Sequence, residues 1–150
     1  MRLVFLDTGV LGMVSNPRGK PPALRCRQWV KDLSAAGVRV IVPEIADYEV
    51  RRELIRAGAT TGLLRLDQVK ALLDYVPITT DVMLRAAELW ASARRAGLPT
   101  APPEALDGDV ILAAQALLAA SPGDVVTVAT DNVGHLARFV QSQPWDQIAP

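Results

Sequence analysis

Short runs of apolar, often β-branched residues alternate along this chain with longer stretches whose apolar positions recur every three or four residues. The first pattern is that of buried strands, and the second that of helices packed by one face. Leu3-Val-Phe-Leu6 stops at Asp7-Thr8-Gly9 and predicts a buried strand ending in a polar turn, followed by a helical turn or two through Val10 to Val14. Ser15 to Pro22, rich in Gly and Pro and carrying Arg18 and Lys20, predicts a loop. A helix is expected from Ala23 to about Ala36, where Gly37 ends it. Val38 to Val42, bounded by Gly37 and Pro43, predicts the second strand, and Pro43 then opens a helix as its first residue, continuing from Glu44 to about Ala57.

Thr60–Tyr75 and Thr80–Ala96 read as two further helices, with Val76-Pro-Ile78 between them as an edge strand and Thr80 or Asp81 as a cap for the second. Gly97 to Pro103 reads as a long loop. The helix predicted from about Asp107 to Ala120 is apolar on all sides, which places it in the middle of the domain. Ser121–Asp124 turns the chain into a last clear strand, Val125–Ala129, which halts just before Asp131. No internal repeat interrupts this order.

Strands separated by helical stretches imply right-handed crossovers, so the predicted class is α/β: a single domain over residues 1–150 with a central parallel sheet and helices on both faces. Ligands of such sheets bind beyond the carboxyl ends of the strands. Asp7 and Asp131 both stand at such ends and are predicted to be neighbours.

Composition narrows the function. Half of the 150 residues are hydrophobic and 21% are charged, a balance far from that of disordered chains. Val110–Ala120 is too short to span a bilayer and Asp7 interrupts the only leader-like start, so a cytoplasmic chain without membrane association is expected. A lone cysteine, Cys26, excludes an internal disulfide and a cysteine-based zinc site. The net charge is zero, without the overall basic footprint of many nucleic-acid binders. Its distribution is uneven: residues 1–60 hold ten Lys and Arg against six Asp and Glu, a net of +4, and the remainder carries the opposite charge.

Four carboxylates stand out by position. Asp7 follows a buried strand, where it is either a turn residue capping the next helix or one pole of a charged site. Glu49 shares a helix face with Ile45, Tyr48 and Arg52 and is thereby carried toward the sheet or paired with Arg52. Its neighbours have simpler roles, Glu44 at the helix amino end and Asp47 four residues before Arg51. Asp107 suits an N-cap, whereas Asp109 enters the first turn of the buried helix and points at the rim of the strand ends. Asp131 is a turn residue or the fourth member of the group. Together, acids at the ends of separate elements converge on one edge, where like charges raise one another's pKa unless a cation intervenes. An all-oxygen set suits Mg²⁺ or Mn²⁺, the ions of phosphodiester hydrolysis.

These motifs resemble those of the PIN domain, the metal-dependent ribonuclease family that includes the VapC-type toxins of bacterial toxin–antitoxin pairs. Leu6-Asp7-Thr8-Gly9-Val10-Leu11 is similar to the first acidic motif, Pro43–Glu49 to the second, Gly108-Asp109-Val-Ile-Leu-Ala-Ala114 to the third, and Thr127-Val-Ala-Thr-Asp131-Asn132 to the fourth. Gly9 replaces a serine common in the first motif, and Asn132-Val-Gly-His-Leu136 replaces the acid and aromatic that often complete the fourth. The resemblance implies a metal-dependent endoribonuclease with Asp7, Glu49, Asp109 and Asp131 as catalytic and metal-binding residues. It further implies Mg²⁺ or Mn²⁺ as cofactor, an RNA substrate, a cognate antitoxin protein and a homodimer. Two alternatives stand beside it. A non-catalytic PIN-like module would keep the fold for RNA or protein binding, and a phosphatase of the haloacid-dehalogenase type would need an Asp where Gly9 stands.

Outside the acids, His135 reads as a structural histidine and Trp29, Trp90 and Trp145 as core or subunit-contact residues. Arg18 and Lys20 in the first loop, and Arg51, Arg52 and Arg56 after Glu49, are either solvated or within reach of phosphates.

Overall fold

The structure, a computed structural model, describes residues 1–98, 102 and 107–150. Most of the expected 97–103 loop lies outside the described residues. Five parallel strands form one sheet: β1 (Arg2–Leu6), β2 (Arg39–Pro43), β3 (Asp74–Val76), β4 (Val125–Thr130) and β5 (Ser142–Pro144), in the order β3-β2-β1-β4-β5. The described helices are α1 (Thr8–Ser15), α2 (Pro21–Ala35), α3 (Glu44–Arg56), α4 (Thr60–Leu72), α5 (Thr80–Arg95), α6 (Gly108–Ala119) and α7 (Val133–Leu136), with a short 3-10 turn at Trp145–Gln147. The predicted α/β class and parallel sheet are present.

Alternation along β1 divides the interior in two. Val4 and Leu6 face a core built with α1, α2 and α4, where Leu11, Leu33 and Leu66 are fully buried. Leu3 and Phe5 face the other, built with α5 and α6. Helix α3 serves both, Ile45 entering the second core while Ala46 and Val50 enter the first. Each fully buried Leu or Phe contributes roughly 1.5–3 kcal/mol by leaving water, so this two-sided packing holds the sheet as a rigid platform.

The chain moves from β1 to β2 and β3 on one side, then returns to add β4 and β5 on the other. The order therefore reverses between β1 and β4, where a parallel sheet opens a crevice at its carboxyl edge. Leu6 pairs with Ala129, and the Asp7 amide extends the ladder by donating to the Ala129 carbonyl at 3.0 Å.

Several boundaries differ from the sequence expectation. Helix α2 begins at Pro21 rather than Ala23, since prolines at the first two helical positions remove only amides that have no helical acceptor. Pro43 closes β2 and precedes α3 instead of being its first residue. The helix expected to reach Tyr75 ends at Leu72, and β3 lies at 74–76 rather than 76–78. Asp74 is drawn to Arg39 across the sheet at 2.8 Å, while the Ile78 amide leaves the ladder for the Glu44 carboxylate at 2.9 Å. Strand β5 and helix α7 were not anticipated. Helix α6 is buried from Val110 to Ala116, but Leu118 emerges at 48% exposure, so the helix is central only as far as Ala116. Its fully buried Gln115 accepts from the Ile45 amide and donates to the Val76 carbonyl, joining α6 to both α3 and β3. Trp29 and Trp145 meet at 5.6 Å in the first core, as expected for core residues. Among the described residues no helix is long and apolar enough to cross a membrane.

Candidate active site

Asp7 is the N-cap of α1 and sits at the crevice at the same time. One carboxylate oxygen accepts from the Thr8 amide at 2.7 Å, and the other from the Thr130 hydroxyl at 2.7 Å. The two readings of this residue are therefore compatible, because the bonds orient the carboxylate without neutralising it.

Four acids lie on α3, and the fold gives each a different partner. Glu44 accepts from the Tyr75 hydroxyl and the Ile78 amide, bonds that hold its carboxyl below the usual range. Asp47 is buried against Arg51 at 2.9 Å with Lys70 at 3.8 Å, and Glu53 pairs with Arg56 at 2.9 Å. Glu49 is the one that turns to the crevice: its Oε1 accepts from the Thr8 hydroxyl at 2.8 Å, while Arg52 stands 3.7 Å from Oε2.

Asp107 and Asp109 separate as the sequence suggests. Asp107 is buried, and its Oδ1 accepts from the amides of Asp109 and Val110, which makes it the cap of α6. Asp109 points to the crevice. Burial, then the charges of Asp7 and Asp107, push its carboxyl above the usual carboxylate range, and the neighbouring His135 partly offsets them. The His135 Nδ1 lies 3.4 Å from Asp109 Oδ2. The intervening Gly108 gives Glu49 its place, since a Cβ there would stand 3.1 Å from both Glu49 carboxylate oxygens.

Asp131 is exposed just past β4. Its Oδ2 would stand 3.4 Å from a Cβ at Gly9, so the glycine at the departure from the first motif lies against this acid. Asp131 also adds to burial in pushing the Cys26 thiol up to about 12.

The fold thus sets Asp7, Glu49, Asp109 and Asp131, from four separate segments, along one carboxyl edge. Their side chains do not close on a common point: among the described residues no three of His, Cys, Asp or Glu form a ready metal-holding group. The donor chemistry nevertheless suits a hard cation, being all carboxylate, and the raised Asp109 carboxyl marks negative charge that a cation would relieve. Sequence reasoning passed over Thr8, Thr130 and Gly108, whose only signal was adjacency to the acids, and set His135 apart although it is in contact with Asp109.

The sequence matches the PIN domain family over residues 4–133. VapBC2 from Rickettsia felis, solved bound to a DNA fragment from their promoter, has a similar fold, with a TM-score of 0.72 and 16% identity over 96% of this chain and 99% of that one. FitAcB from Neisseria gonorrhoeae is similar at a TM-score of 0.68 and 21% identity, covering 97% and 99% of the two chains. VapC20 from Mycobacterium tuberculosis, a sarcin-ricin loop cleaving toxin, is similar at a TM-score of 0.64 and 16% identity, covering 94% and 99%. No protein of curated function matches the sequence. The match over residues 4–133 spans nearly the whole chain and takes in all four acids of the crevice, so the protein belongs to the PIN domain family.

Proposed function

We propose that this protein is a metal-dependent endoribonuclease, a VapC-like toxin that hydrolyses RNA phosphodiester bonds. The observation that supports it most is the gathering of Asp7, Glu49, Asp109 and Asp131 at the switch point of the sheet. These four residues would hold Mg²⁺ or Mn²⁺. Such an ion would supply positive charge opposite the acids and favour attack by water on a phosphodiester. Thr130 holds the Asp7 carboxylate in place, and Thr8 holds Glu49. Asp109, whose carboxyl is raised by burial and by the charges of Asp7 and Asp107, carries charge that a bound cation would relieve.

The likeness to VapBC2 and to a sarcin-ricin loop cleaving toxin supports a toxin role with a cognate antitoxin protein as partner. A homodimer is the working form proposed with it. Single-stranded and structured RNA, incubated with the purified protein, should be cut in Mg²⁺ or Mn²⁺ and stay intact with a chelator, while a DNA duplex survives both. Cleavage that persists in chelator would overturn the metal dependence. RNA that is bound but left uncut by the wild type in both Mg²⁺ and Mn²⁺ would reduce the protein to a non-catalytic PIN-like module.

A further inference from the structure

Acids on the crevice and acids away from it are held by different kinds of group. Asp47 and Glu53 of α3 are paired with Arg51 and Arg56, whose permanent positive charge compensates theirs. On the crevice, Asp7 accepts from the Thr130 hydroxyl at 2.7 Å and Glu49 from the Thr8 hydroxyl at 2.8 Å, donors that orient a carboxylate without cancelling its charge. Asp109 has a neighbour of the same use. His135 Nδ1 stands 3.4 Å from its Oδ2, and a ring nitrogen that faces a carboxylate carries hydrogen in the neutral imidazole as well as in the charged one.

The place of His135 is set from both ends of a short segment. The Thr130 hydroxyl that donates to Asp7 also accepts from the Asn132 amide at 3.0 Å, which fixes the turn out of β4. Helix α7 follows at once, and Leu136, 1% exposed, anchors it in the second core that Val110 and Ile111 of α6 also build. His135, the residue before that anchor, is thereby brought against the first turn of α6, where Asp109 lies, with its own side chain half exposed. The segment 132–136 is also the one that departs from the fourth acidic motif. It brings a hydrogen donor, rather than a further carboxylate, to an acid that burial and the charges of Asp7 and Asp107 already disfavour.

We infer that His135 is the positioning residue of Asp109: its ring N–H orients the Asp109 carboxylate at the crevice and leaves the negative charge available to a divalent cation. The inference rests on the metal-dependent reading of the four acids. An arginine or lysine in this place would hold Asp109 as Arg51 holds Asp47, as a cation competing with the metal, and an aliphatic side chain would leave Asp109 Oδ2 without this donor.

The test measures Mn²⁺ binding by the full chain in the absence of RNA, from the loss of the free-ion EPR signal, with thermal melts in chelator beside it. Three variants are compared with the wild type: His135→Leu keeps bulk without a donor, His135→Asn puts an amide nitrogen near the place of Nδ1, and His135→Gln puts one near the place of Nε2. His135→Leu and His135→Gln should weaken Mn²⁺ binding about tenfold or more, the usual loss when a metal ligand is deprived of its hydrogen-bonding partner, and His135→Asn should recover most of it. All should melt close to the wild type in chelator, because the side chain is half exposed. Pulsed EPR of the wild type with Mn²⁺ should show no directly bound ring nitrogen. A wild type that binds Mn²⁺, with variants that bind it equally well, would overturn the positioning role and leave the metal reading standing. Weakened binding in all three variants together with lowered melting in chelator would place His135 in the fold instead. A directly bound imidazole nitrogen would overturn the inference in favour of a ligand, and a wild type that binds no Mn²⁺ would overturn the metal reading and this inference with it.

Discussion

Asp107 and Asp109 are two residues apart and serve opposite ends, one holding the start of α6 and the other facing Asp7 across the crevice. Asp107→Ala should lower stability by about 0.5–2 kcal/mol, the usual loss of a good cap. Asp109→Asn should abolish cleavage yet melt at or above the wild type in chelator, because it removes a carboxylate that burial and like charges already disfavour. Thermal melts in chelator beside a cleavage assay separate the two, and equal catalytic loss from both would show the division to be wrong. Gly108 gives a sharper pair of signs. Gly108→Ala should leave stability unchanged or raise it by up to about 1 kcal/mol through helix propensity, while cleavage falls, because the new methyl meets the Glu49 carboxylate at 3.1 Å. A parallel fall in melting temperature and activity would place the effect in the fold instead. Asp7, Asp109 and Asp131 were legible in the sequence because they stand where a strand stops or a helix starts, and Glu49 because it shares a face of α3 with apolar residues. Thr8 and Thr130 were not, since a hydroxyl beside an acid looks the same whether it holds that acid or points to water.

Helix α3 shows what an element owes to its surroundings. Glu44, at its first position, is held below the usual carboxylate range by the Ile78 amide and then by the Tyr75 hydroxyl. A lowered folded pKa means that this group's stabilisation is fully present above its ordinary value of 4.5 and is lost as pH falls through the lower folded value. Wild-type melting temperature should therefore drop on acidification below about pH 4.5, and Glu44→Gln should flatten that limb; an unchanged acid limb would show that these bonds contribute nothing. Elements with their own periodicity or β-branched content, β1, β2, β4 and α5, were legible within a few residues. β5 was not: Ser142-Gln-Pro144 has no apolar alternation and becomes a strand because β4 presents an edge to it. The two-residue displacement of β3 has the same origin, since Arg39 and Glu44, distant in sequence, decide where that strand begins and ends.

At the scale of the whole molecule, the two cores and the sheet between them bring four acids to one edge from four separate segments, one from each. The class and the crevice were legible through topology alone, whereas the direction in which each acid points depended on Thr8, Gly108 and the cap at Asp107. Excess Mg²⁺ should raise the melting temperature of the wild type, corresponding to about 2.7 kcal/mol at a hundredfold excess over Kd, and should raise that of Asp109→Asn much less. Equal shifts in both proteins would mean that the ion binds elsewhere. The double duty of Asp7 also has a historical consequence. In a lineage released from the proposed RNA cleavage, the acids of this edge would not erode together. Asp7, which caps α1 and continues the β1–β4 ladder, and Asp107, which caps α6, would outlast the trade they once served, whereas Glu49 and Asp109 brace no strand and close no helix and would drift first. Among descendants, then, an aspartate at position 7 would testify to ancestry of shape, and the pair at 49 and 109 to the proposed activity.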